Sequence, residues 1–247
     1  MKNYMRFWPE TREEEPNMMR LYTAIGTLKF QKNPKGKPMP VILNHNQEYG
    51  LSEHELILWS CLAFQILRIH ELKAAYEYRL RNANAKEAMP FSHYLNRLIL
   101  RGLIAEGEGL TGVDALYRLL GTLHILPVSN PFPVRLFTCI QLRLEGKIRT
   151  GDMGKLLKKM PYTPLEETVV KLAQTIPVTT AELVSYVDLN KDSASRSSRA
   201  MLEELYQNPE TTYQTLAENA QIHHIQYPVL QAIGNLYLNK QISFQRF

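Results

Sequence analysis

The stretch from Pro90 to Gly109, PFSHYLNRLILRGLIAEGEG, limits the possible folds of this chain more than any other. Phe91, Tyr94, Leu95, Leu98 and Ile99 recur at helical spacing, which predicts an amphipathic helix from Phe91 to Arg101. Gly102 follows the last periodic residue. Glycine enters the left-handed backbone region without a Cβ penalty, so the helix stops there. Leu103-Ile104 opens a short apolar extended segment, and the glycines from Gly107 to Gly112 predict a turn. The order is basic amphipathic helix, glycine stop, short strand, glycine-rich turn.

The residues before it add two helices. Ser52 with Glu55 three positions on is a capping box. It opens a helix that is apolar almost all round, through Leu56, Leu58, Trp59, Leu62, Ala63, Ile66 and Leu67, and so predicts a buried central helix. A second helix spans about His70 to Asn82, with Leu72, Ala75, Tyr76 and Leu80 inward and Lys73, Arg79 and Arg81 outward. Upstream, Leu21–Phe30 alternates as a strand. The turn from Asn33 to Pro38 carries Lys35 and Lys37, and lets Met39–Leu43 pair back as a hairpin. The first twenty residues are charged and Met-rich and are read as an arm.

Helix, helix, turn, helix and strand, from Leu51 to about Leu110, resemble the winged helix-turn-helix family of bacterial DNA-binding proteins. One departure matters. Winged domains usually return from the wing with a second apolar strand, whereas Val113–Leu123 has a helical pattern. After the prolines of Pro127–Pro133, the best domain boundary, helices are expected over Val134–Glu145, Leu165–Gln174, Ala181–Val187, Ser198–Gln207, Thr211–Ala220 and Gln226–Asn239. A strand is expected from Lys240. The tail thus repeats the earlier order. The expected fold is mainly α with short β-hairpins, built as tandem winged-helix-like units. Residues 1–50 form the arm and hairpin, 51–128 the first unit, and 134–247 a helical domain whose second unit covers about 198–247.

The resemblance implies that the helix at 91–101 reads duplex DNA. At about 100° per residue its outer face carries His93, Asn96, Arg97 and Leu100, bordered by Ser92 and Arg101. Arginine can fork onto guanine, and asparagine onto adenine. Ser92 lies at the helix start, where a hydroxyl and free N–H groups suit a phosphate. Arg68, Lys73, Arg79, Arg81 and Lys86 would be backbone positioners. The net charge of +5 is concentrated: seven Lys/Arg face three acids from Arg68 to Arg101, and seven face two from Arg135 to Lys159. From Met160 onward six face nine acids. The tail helix exposes Gln226, Gln231, Asn235 and Asn239 with Val229, Leu230, Ile233, Leu236 and Tyr237 inward, which favours a dimerisation, partner or effector role.

A transcriptional regulator binding double-stranded DNA as a homodimer is the leading expectation. A plasmid or phage replication initiator and a winged-helix scaffold for protein contacts are the alternatives; an enzyme ranks below them. The sequence has no metal-ligand spacing, nucleotide-binding glycine motif or nucleophile elbow, and no cofactor is expected. His223-His224 read as a plain turn. Cys61 and Cys139 read as buried reduced thiols. Neither a secretory core nor a membrane span is expected, which places the protein in the cytoplasm.

Overall fold

Two short strands replace the single one expected over Leu21–Phe30. β1 (Met19–Ala24) and β2 (Thr27–Lys32) part at Ile25-Gly26 and join different sheets. The computed structural model describes residues 18–32, 38–83, 89–128, 162–189, 198–208, 210–221 and 225–246. Its architecture is mixed α/β, with helices on small three-stranded antiparallel sheets. β2 pairs with β3 (Pro38–Asn44) in the expected hairpin, and β3 pairs with β4 (Gln47–Gly50). The hairpin tip with Lys35 and Lys37 lies outside the described residues.

α1 (Glu53–Leu62) opens on the expected capping box: the Ser52 N–H donates to Glu55 Oε2 at 2.8 Å, and the Glu55 N–H to Ser52 Oγ at 3.4 Å. The helix ends at Leu62, short of the apolar run. Ile66 and Leu67, expected to be helical, form β5 (Ile66–Arg68) on the flank of β1. α2 (Ile69–Asn82) and α3 (Phe91–Leu100) follow close to their expected bounds and bury Leu72, Tyr76 and Leu98 with Leu58 of α1. Gly102 sits at φ +67. Its N–H bonds the Ile99 carbonyl and the Leu103 N–H the Leu98 carbonyl, both at 2.9 Å, which satisfies the carbonyls left open at the helix end.

The expected glycine turn is strand instead. Gly107 and Gly109 belong to β6 (Ile104–Gly109), pairing with Leu21 and Met19 of β1, and the chain then enters α4 (Gly112–Leu120). Glycine serves close approach here, since a Cβ on Gly107 would lie 2.3 Å from the Leu119 nitrogen of α4. The first sheet therefore has the order β5-β1-β6, and its central strand arrives from the N-terminal side. β1, whose residues from Leu21 on are expected in the N-terminal hairpin, thus shares a sheet with segments of 51–128.

A third sheet of three strands follows. β7 (His124–Pro127) lies between β8 (Val178–Thr179) and β9 (Ile242–Gln245). Around this sheet are α5 (Pro164–Thr175), α6 (Thr180–Leu189), α7 (Ser198–Leu205), α8 (Tyr213–Ala220) and α9 (Gln226–Leu238). β7 so belongs with the C-terminal strands, although the sequence placed it before the boundary. Thr163 and Glu166 cap α5 as Ser52 and Glu55 cap α1. Lys240, at φ +58, stands where Gly102 stands after α3. The Lys240 and Gln241 N–H groups bond the Tyr237 and Leu236 carbonyls at 2.8 and 2.9 Å. Ile25 N–H bonds the Leu103 carbonyl in one half, and Val128 N–H the Gln241 carbonyl in the other. The helix expected at Val134–Glu145 and the cations Arg143, Lys147, Arg149, Lys155, Lys158 and Lys159 lie outside the described residues.

Two apolar cores form, one around α1–α3 and a larger one that gathers Ile25, Ala105 and α4 with the C-terminal helices, and Tyr237 of the larger bonds across to Leu62 of the smaller. Its hydroxyl accepts the Phe64 N–H at 3.0 Å, donates to the Leu62 carbonyl at 3.2 Å and lies 2.9 Å from Thr23 Oγ1. Burial pushes the phenol up to about 12, against the opposing pull of its bonds to Thr23 and the Phe64 and Gln65 backbone.

Candidate functional site

α3 turns Tyr94, Leu95 and Leu98 inward. Its outward side carries Ser92, His93 and Asn96, all half-buried, with Arg97 57% and Leu100 78% exposed. The rings behind it are ordered: His54 of α1 stacks on Tyr94 with centroids 5.0 Å apart, and His93 meets the edge of the same ring at 5.6 Å. The elements packed most extensively on α3 are α1 and β6.

Glu55 is the electrostatic centre of this region. It is only 1% exposed, yet two guanidinium groups from the end of α3 converge on it. Arg101 Nη1 donates to Oε1 at 3.1 Å and Arg97 Nε lies 3.0 Å from the same oxygen as an ion pair, while Oε2 takes the Ser52 N–H. Burial raises the pKa of the carboxyl, but the Ser52 bonds and the two guanidinium charges outweigh it and hold Glu55 below the ordinary glutamate range.

Arg101, also expected at the DNA-facing border, has partners within the protein. It is 25% exposed, donates Nη2 to the Gly50 carbonyl at 2.7 Å, and lies 5.6 Å from the centroid of the Tyr49 ring. It is a strut tying the end of α3 to β4 and α1, because the chain leaves the helix there and the buried acid is the nearest charge. Arg97, one turn earlier, is held by the same acid but remains largely in solvent.

On α2, Lys73, Arg79 and Arg81 are exposed as expected, and Arg79 Nη1 donates to Ser60 Oγ at 2.6 Å. Glu71 accepts the Arg68 N–H at 2.8 Å, which occupies one acid of this helix in a cap. Lys86 lies outside the described residues. α2, which carries Lys73, Arg79 and Arg81, and α3, which carries Asn96 and Arg97, bury their inward residues in one core, where Tyr76 meets Phe91 and Tyr94.

α9, the counterpart of α3, buries Val229, Leu230, Ile233, Leu236 and Tyr237 as expected and exposes Gln231, Asn235 and Asn239, with Gln226 half-buried. Tyr227 and Leu238 are also exposed, and no Lys or Arg occurs from Gln226 to Asn239. Asn235 Nδ2 donates to Glu166 Oε1 at 3.3 Å, so a buried acid again meets a residue of the outward helix.

Sequence reasoning found the Glu55 cap and missed its second role. The available signal was an acid beside the apolar run of α1, whose second oxygen needs partners if buried. Among the described residues no group of three His, Cys, Asp or Glu is placed to hold a metal ion, and His223-His224 lie outside them. Cys61 is buried, and burial pushes its thiol up, with Arg79 pulling weakly the other way; Cys139 lies outside the described residues. No described helix is long and apolar enough to cross a membrane. Comparison with protein-family models, curated proteins and solved structures gave no match.

Proposed function

We propose that this chain is a regulator that reads duplex DNA, built from tandem winged-helix-like units, with α3 as the helix that enters the major groove. The observation that carries the reading is the outward side of α3, with Arg97 exposed and Asn96 and His93 half-buried, together with the exposed cations Lys73, Arg79 and Arg81 of α2. Guanidinium and amide groups are the side chains that match base edges, and the flanking cations match phosphates. The topology is compatible with the family plan once its last strand is moved to the front. β1 takes the place beside β6 that a strand returning from a wing would hold, and β7 does so beside β9.

The protein acts as a homodimer on two half-sites, which supplies affinity that one helix lacks. α9 has amides and two exposed apolar side chains without cations, and its role is contact with a protein partner. Tandem units favour a second reading, a replication initiator using both on DNA. The cation-free α9 weighs against it.

The test is the salt dependence of binding. Labelled duplexes of unrelated sequence are titrated with wild type and with Arg79→Glu/Arg81→Glu. Loss of two phosphate contacts lowers affinity for every sequence and reduces the slope of log K against log salt by roughly two. Identical slopes would remove α2 from the interface and with it the proposed docking.

A further inference from the structure

Two arginines converge on one oxygen of Glu55, and they differ in exposure. Arg101 is the more buried, bonds Gly50 as well, and ties α3 to α1 and β4. Arg97 is 57% exposed, and an ion pair on such a side chain adds little to stability. Yet its Nε is held at 3.0 Å by an acid that is itself fixed by the capping box. The same arrangement recurs in the second half, where Glu166 of the α5 cap meets Asn235 of α9. Both halves therefore anchor one outward residue of the last helix to a buried acid of the first.

An anchor of this kind matters for recognition. A free arginine gives up rotamer freedom when it engages a ligand; one tethered at Nε has given up much of it beforehand. The ion pair lies on the Nε side and leaves the terminal nitrogens of the planar fork for a paired acceptor. In the major groove guanine offers such a pair, O6 and N7, on one base edge. Resting on the DNA-binding reading above, we propose that Arg97 is the specificity-determining residue for a guanine in the bound site and that Glu55 is its positioning residue. Leu100, one turn on and 78% exposed, lies beside the reader, where an apolar side chain meets a thymine methyl.

The experiment is selection from a randomised duplex pool with the full chain, followed by titration of the selected duplex and of its single base-pair variants. Wild type selects a guanine whose replacement weakens binding roughly tenfold or more. Arg97→Lys keeps the charge and loses the fork, so that position becomes tolerant of any base. Glu55→Gln retains the guanine preference only weakly. If the selected pool is enriched but Arg97→Lys discriminates as wild type does, the assignment of Arg97 and Glu55 is overturned and DNA reading stands. If wild type enriches nothing and binds no duplex, the DNA-binding reading itself fails. Should Glu55→Gln not fold, Arg97→Lys alone decides, since a base preference at one position is not moved by loss of a merely structural contact.

Discussion

Replacing Tyr237 by phenylalanine tests how the two cores are held together. The substitution removes one oxygen and leaves the ring, which lies 4.4 Å from Phe244 and 5.5 Å from Phe64 between centroids. Thr23 keeps its bond to the Gln65 carbonyl, and the Leu62 carbonyl keeps the Gln65 N–H. The group left unsatisfied is the Phe64 N–H, on a residue at φ +59 whose backbone is already strained. An orphaned N–H in such a site costs about 2 kcal/mol, which for a chain of this length lowers Tm by about 4–8 °C. Thermal and urea unfolding followed by circular dichroism measure it. The variant also changes the alkaline limb. Folding holds the phenol proton more tightly than the unfolded chain, with a pKa of about 12 against 10. The stabilisation is thus complete below pH 10 and declines as pH rises toward 12, by up to about 1.4 kcal/mol per pH unit. Wild type loses stability there faster than Tyr237→Phe, and the two urea midpoints converge. A Tm within one degree of wild type at neutral pH, with parallel alkaline limbs, would refute the view that this hydroxyl carries the junction.

Two further outcomes concern the backbone. Gly107→Ala drives a Cβ to within 2.3 Å of the α4 backbone, so it destabilises by about 1–3 kcal/mol or more, seen as a lower urea midpoint at unchanged slope. Lys240→Gly relieves a left-handed residue at φ +58 and stabilises by about 0.5–1 kcal/mol after the entropy of the added glycine is subtracted; a loss of stability would show that the lysine side chain makes a contact that matters more than its backbone strain.

The sequence by itself determined what depends on neighbours a turn apart. The Ser52–Glu55 box, the stop at Gly102, the inward faces of α2, α3 and α9, and the outward position of Arg97 all follow from spacings of three and four residues. Such signals are local because helix hydrogen bonds are local. Only the tertiary structure decided what β6 pairs with. Any extended segment can satisfy a strand's N–H and C=O groups, so the choice of β1, whose Arg20 meets Glu108 across 88 positions at 2.6 Å, rests on which segment the packed helices leave adjacent. The same packing turned an apparent glycine loop into a strand pressed against α4, divided one apolar run into α1 and β5, and made Arg101 a strut while leaving Arg97 in solvent. A buried charge must find its partner wherever the fold places one, and that place is not written in the residues beside it.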